Sequence, residues 1–174
     1  MFCHCGALLS GMACRGYFLA LDEPSVALLL AQDGNDEGLI EVIDELGMTN
    51  APDECEVDKA WDGIHRCLTE GRLGGEDGTY PLNAVVLGGL PLHRGDGYVV
   101  SYNTPAEVRE VAAALAVLDL DPFIARYWTL DPDDYGAAID QDDLAYLTSN
   151  LQELTTFYQR AAQAGWATVF VVDQ

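Results

Sequence analysis

One short stretch of the sequence, EVDKAWDGIHRCLTEG, concentrates side chains that can take part in chemistry. Within eight residues it contains Asp58, Trp61, Asp62 and His65. A helix turns about 100° per residue, so Asp58 and His65 would lie almost in line and the carboxylate could orient the imidazole. Such a pair has the shape of a general base or of half a metal site. Catalysis would still need a third group.

A glycine-rich segment further along the chain could supply that group, because it carries Arg94 and Asp96. The resulting hypothesis is a small hydrolase or transferase. Its candidate site consists of Asp58, Trp61, Asp62, His65, Arg94 and Asp96. The pattern contains no nucleophile motif, so it indicates a cluster of suitable side chains and names no reaction.

The same stretch also has a structural interpretation. On a helix over 56–69, four apolar side chains cluster on one face and would bury it without any site: Val57, Trp61, Ile64 and Leu68. In this interpretation Lys59 and Arg66 lie on the solvent side, and the polar side chains at the border of the face satisfy buried polar atoms. Both interpretations remain open at this point.

The elements that must position these residues follow from hydrophobic periodicity, which predicts a single compact α+β domain with a small mixed sheet. Strands are expected near 16–21, 97–103 and 166–172, the last of them central and buried on both sides. Helices are expected near 24–32, 56–69, 105–118 and 144–164. The clearest local signal is a capping box of Thr104 and Glu107 with Pro105 at the first helical position.

The charge of the chain restricts its partners. Its 29 acidic residues against 8 Lys and Arg give a formal net charge of −21. Such a polyanion repels nucleic acid and anionic lipid, so neither is an expected partner. Its acidity is compatible with a basic protein partner and equally with a role in solubility alone. The function favoured by the sequence is a soluble acidic protein-binding domain of the immunity or inhibitor kind. The alternatives are the hydrolase or transferase above and a structural or regulatory module without ligand.

The composition also indicates a cytoplasmic protein without cofactor or metal. No apolar run reaches the ~18 residues of a membrane span, and five unevenly spaced cysteines suit free thiols in a reducing compartment. Cys3, His4 and Cys5 offer only three soft ligands, whereas a structural zinc site uses four. A bound zinc ion is therefore not expected there.

Several motifs resemble the YfbM-like family of uncharacterised bacterial proteins. The most specific is DKAWDGIHRCLT; GYFLAL, LNAVVLGG, TPAEVREVAAAL and LTTFYQRAAQAGWATVF follow the order of that family. The resemblance covers about 12–172 and implies a compact α+β domain, without implying an activity. It assigns 12–174 to one domain and makes 1–11 an N-terminal extension outside the family.

Overall fold

A computed structural model of the chain describes residues 14–173. The expectations about the 1–11 extension and about Cys3, His4 and Cys5 lie outside these residues. The strands are β1 Gly16–Leu21, β2 Glu54–Asp58, β3 Leu90–Pro91, β4 Tyr98–Asn103 and β5 Ala167–Asp173. The α-helices are α1 Glu23–Leu30, α2 Asp36–Glu45, α3 Ala60–Leu68, α4 Pro105–Ala116, α5 Leu120–Tyr127, α6 Pro132–Tyr135 and α7 Gln141–Ala164. A π-helical turn, Leu46–Asn50, follows α2, and a 3-10 turn, Leu82–Val85, precedes β3.

The five strands form one sheet in the order β2-β1-β5-β4-β3. Every pairing between them is antiparallel, so the expected mixed sheet is wrong, although the α+β class is confirmed. The chain reverses direction between neighbouring strands, and none of the pairings requires the crossover of a parallel unit. β5 lies in the centre, as its continuous apolar run predicts.

The sheet is buried on both faces because successive side chains of a strand point to opposite sides. In β5, Phe170 and Val172 belong to the larger core, which α3, α4, α5 and α7 complete. Val169 and Val171 belong to a smaller core on the other face, which is completed from α1 and α2 by Leu29, Leu39 and Ile43. The sheet therefore separates α3, the helix that carries Trp61, Asp62 and His65, from α1 and α2.

The stretch EVDKAWDGIHRCLTEG does not form the single helix over 56–69 that was expected. Glu54–Asp58 is strand β2, with a burial pattern that alternates between exposed and buried, and α3 begins at Ala60. The physical reason is the alternation in ECEVD, which places Cys55 and Val57 in the core on one side. Asp58 has a φ of +44°, a left-handed conformation that aspartate tolerates, and it turns the chain from β2 into α3.

The remaining predicted elements, β1, β4, β5, α1, α4 and α7, begin and end close to their expected positions. The capping box at the start of α4 is present, with both the Thr104 side chain and the Glu107 side chain bonded to backbone N–H groups. α7 begins at Gln141, three residues before the expected start, because the Asp140 carboxylate accepts from the N–H groups of Asp142 and Asp143. Gly165, with a φ of +74°, ends the helix.

Candidate functional site

His65 is a buried residue whose ring is bonded to the backbone of a neighbouring loop. It is 0% exposed, and its Nε2 lies 3.0 Å from the carbonyl oxygen of Gly74, to which the Nε2–H donates. Burial lowers the pKa of His65 below its ordinary value, so the ring is neutral near pH 7. Nδ1 is buried without a hydrogen-bond partner. The histidine therefore joins α3 to the glycine-rich loop.

The Asp58 carboxylate contacts Tyr146 and Arg15, and not His65. Its Oδ2 accepts a hydrogen bond from the Tyr146 hydroxyl at 3.0 Å, and its Oδ1 lies 3.1 Å from Nε of Arg15. The Tyr146 hydroxyl also accepts from the backbone N–H of Lys59. These contacts hold the turn between β2 and α3, and the structure does not assemble the Asp58–His65 pair that a continuous helix would form.

Asp62 and Arg66 form an ion pair inside the protein. The Arg66 guanidinium contacts the Asp62 carboxylate one turn earlier and the Asp134 carboxylate from α6. Arg66 is only 5% exposed, so the expectation that it lies on the solvent side is wrong. Burial raises the pKa of Asp62 above its ordinary value, and the adjacent guanidinium opposes that rise. The arrangement fastens α6 onto α3.

Trp61 is part of the larger core. It is 8% exposed, its ring lies 5.7 Å from that of Phe170, and its Nε1–H donates to the carbonyl oxygen of Cys14 at 2.9 Å. A Cβ on Gly16 would come within 2.7 Å of the Trp61 ring, so the first residue of β1 has to be small. The tryptophan thus packs the strand against α3.

Arg94 and Asp96 do not join the residues of α3. The Arg94 guanidinium contacts the Asp33 carboxylate at 2.7 Å, and its backbone N–H donates to Asp36. Asp33 lies just before α2 and Asp36 is its first residue, and this helix packs on the opposite face of the sheet from α3. Asp96 is exposed. The six candidate residues are therefore distributed over two faces, and the geometry does not unite them in one site.

A different set of residues surrounds a groove of about 420 Å³ at the end of the sheet where β1 begins. Its lining includes four carboxylates: Asp44, Glu54, Glu56 and Asp173. It also includes two tyrosines, Tyr17 and Tyr98, and one guanidinium, that of Arg15. We call this feature the acidic groove.

Strand register brings these distant residues together. Tyr17 of β1 lies opposite Glu56 of β2, and Tyr98 of β4 lies opposite Asp173 of β5. Residues opposite each other on paired strands extend from the same face of a sheet. That face is the one covered by α2, whose Asp44 reaches the groove from the helix. The groove is the part of this face near the strand ends.

The electrostatics of the acidic groove favour a cationic ligand. Burial, with a contribution from Asp44, raises the pKa of Tyr17 to about 12, so its hydroxyl stays protonated. The only cation among the described lining residues is Arg15, against four carboxylates. The Cys55 side chain points to the larger core on the other face of the sheet, and burial there raises the pKa of its thiol to about 11, so this cysteine is not a nucleophile at neutral pH.

Sequence reasoning missed the acidic groove, and one local signal pointed to part of it. The alternation of ECEVD is typical of a half-buried strand and would have placed Glu54 and Glu56 together on an outer face. No local signal brings Tyr98 and Asp173 to this strand, because their meeting depends on the pairing order of the whole sheet.

A second groove lies between α4 and α7 and has about 440 Å³. None of its lining residues is charged, and it includes Leu115, Leu118 and Leu120. Within residues 14–173, no group of three or more His, Cys, Asp or Glu side chains is arranged to hold a metal ion. In the same range, no helix is both long and apolar enough to cross a membrane.

The fold defines a single α+β domain with a five-stranded antiparallel sheet covered on both faces. The chain belongs to the family described as a domain of unknown function (DUF1877), whose model matches residues 12–171. It is similar in structure to a protein of unknown function, YfbM from Escherichia coli. The two share 21% sequence identity and a TM-score of 0.70, over 91% of this chain and 99% of the other. The YfbM-like resemblance is confirmed. No match was found among curated proteins.

Proposed function

We propose that this protein is an acidic binding domain that captures a basic protein partner, and that the acidic groove is where contact is made. The observation that carries the proposal is the groove itself, in which four carboxylates and two tyrosines face one arginine. Aromatic side chains at the centre of an interface supply contact area, while complementary charge speeds association.

The overall charge supports the same conclusion. A net charge of −21 produces a field that attracts cations from beyond contact distance and repels phosphate backbones. A cleft lined by one sign of charge focuses such a field, and the acidic groove has four carboxylates against one guanidinium. A basic protein therefore fits better than a nucleic acid.

Binding has more support than catalysis because the residues of the hydrolase hypothesis have separate structural partners. His65 is bonded to Gly74, Asp62 to Arg66, and Asp58 to Tyr146. A general base needs access to a substrate proton. His65 is fully buried, and the contacts of Asp62 and Asp58 serve helix packing and the β2–α3 turn.

The test is affinity capture from the native cell extract with the wild-type chain and with two charge variants. Glu56→Lys changes the acidic groove, and Glu76→Lys makes the same change of charge at an exposed loop residue outside its lining. We expect a basic protein to be recovered by the wild type and by Glu76→Lys, and to be lost with Glu56→Lys. Equal recovery by both variants, or recovery of acidic proteins only, would contradict the proposal.

A further inference from the structure

We propose that the acidic groove receives an arginine side chain of the partner, and that Arg15 occupies part of this site until the partner displaces it. This inference rests on the proposed function and specifies the chemistry of its site. The Arg15 guanidinium, the one cation among the described lining residues, serves as a model of the bound arginine side chain.

The first observation is the position of Arg15. Its Nε lies 3.1 Å from the Asp58 carboxylate, and its Nη1 lies 3.8 Å from that of Glu56. The guanidinium therefore lies between two carboxylates of the same strand, of which Glu56 lines the groove and Asp58 lies next to its lining. Arg15 and Glu56 side chains are 71% and 68% exposed, so the contact is a weak surface ion pair that another cation can replace.

The second observation is the charge that Arg15 leaves uncompensated. Asp44 and Glu54 have no ion-pair partner among the side chains of residues 14–173. Asp173 accepts a hydrogen bond from the backbone N–H of Cys14 at 3.2 Å, which leaves its charge in place. A second cation entering the groove therefore meets carboxylates beyond those that hold Arg15.

The third observation is the pair of half-buried tyrosines in the lining. Tyr17 and Tyr98 are close enough to interact electrostatically, and both approach Asp173 from the covered face of the sheet. A guanidinium stacks on an aromatic ring more favourably than an ammonium does and is more weakly hydrated. The lining thus combines ring faces for the plane of an arginine with carboxylates for its edge.

The probe is a capped peptide, acetyl-Gly-Arg-Gly-Arg-Gly-amide, titrated into the full chain by calorimetry at about 20 mM salt, where surface charges are weakly screened. Its controls are the same peptide with lysine and with neutral citrulline. The two protein variants are Arg15→Ala and Arg94→Ala. Each removes one exposed, ion-paired arginine and changes the net charge equally, but only Arg15 lines the groove.

We expect Arg15→Ala to tighten binding of the arginine peptide by about two- to five-fold, because displacing an exposed ion pair corresponds to a factor of that size. Arg94→Ala should change it by less than about 1.5-fold, since that residue competes for nothing in the groove. The lysine peptide should bind more weakly than the arginine peptide, and the citrulline peptide should not bind.

Three results would overturn the inference: equal tightening by both variants, equal binding of the arginine and lysine peptides, or no binding of any peptide to Arg15→Ala. These failures are distinct from failure of the proposed function. A basic protein captured by the wild type and lost with Glu56→Lys would leave the groove as the partner's site while excluding arginine as its ligand. Absence of that protein would contradict the proposed function itself.

Discussion

Replacing Arg66 by methionine tests the buried ion pair that fastens α6 onto α3. Methionine keeps an unbranched apolar stem and removes the guanidinium. The side chains of Arg66 and Asp62 are only 6% and 21% exposed, so the substitution leaves a largely buried carboxylate without its cation. Breaking a buried pair from one side costs about 3–5 kcal/mol. Partial access of water to Asp62 reduces this, and we expect a loss of about 2–4 kcal/mol.

The matched control is Asp134→Asn, which removes the charge of the other carboxylate bound by Arg66. The Asp134 side chain is 69% exposed, so water can replace much of the contact, and the expected loss is below about 1 kcal/mol. Urea unfolding followed by tryptophan fluorescence at pH 7 measures both variants. A loss below about 1 kcal/mol for Arg66→Met, or equal losses for the two variants, would refute the reasoning.

The pH dependence of Arg66→Met identifies Asp62 as the cause. Burial already raises the pKa of this carboxyl, and removing the guanidinium raises it further. A carboxyl whose pKa is higher in the folded state destabilises the fold at high pH, and the penalty declines as pH falls through the folded pKa towards the unfolded one. The difference in the free energy of unfolding between the wild type and Arg66→Met should therefore become smaller as the pH falls from about 7 to about 4. Adding Asp62→Asn should recover part of the loss at pH 7, and an unchanged difference would contradict this explanation.

Three further predictions concern the core and the loop contact. Trp61→Ala should lower the free energy of unfolding by about 3–5 kcal/mol in urea, and a loss below about 1 kcal/mol would contradict its place in the core. Gly63→Ala should lower the free energy of unfolding by about 1–3 kcal/mol, because the new Cβ would lie 2.7 Å from Leu147 and from the Tyr135 hydroxyl. The control is Gly97→Ala, whose Cβ would meet nothing within 4 Å and should change stability little. Burial lowers the pKa of His65, so below about pH 6.5 the unfolded chain takes up the proton first and stability falls by up to ~1.4 kcal/mol per pH unit. The His65→Asn variant should lack this decline. If the free energy of unfolding falls equally with pH in the wild type and in His65→Asn, the histidine does not cause the decline.

The sequence predicted most elements because their signals are local. The capping box of Thr104 fixes the start of α4, and the continuous apolar run before Asp173 indicates the central strand. β2 was missed because Val57 also fits a helical face together with Trp61, so the two periodicities overlap over a short stretch. The alternation of exposed and buried residues decides in favour of the strand.

The parts of the candidate site that sequence reasoning could not predict depend on distant contacts. Arg66 is buried because Asp134, 68 residues later, provides a second carboxylate, and no helical pattern reports that contact. Arg94 is held beside α2 by Asp33 and is separated from His65 by the sheet. The acidic groove likewise requires strand pairings that the local pattern does not determine.

We propose above that the acidic groove binds a basic protein segment. The most direct measurement is a titration of the ¹⁵N-labelled chain with the capped arginine peptide, followed by amide chemical shifts. We expect the largest changes at Tyr17, Glu56, Tyr98 and Asp173, and we expect them to vanish with the citrulline peptide. Largest changes at the uncharged groove between α4 and α7, or small changes spread over carboxylates across the whole surface, would contradict the proposal.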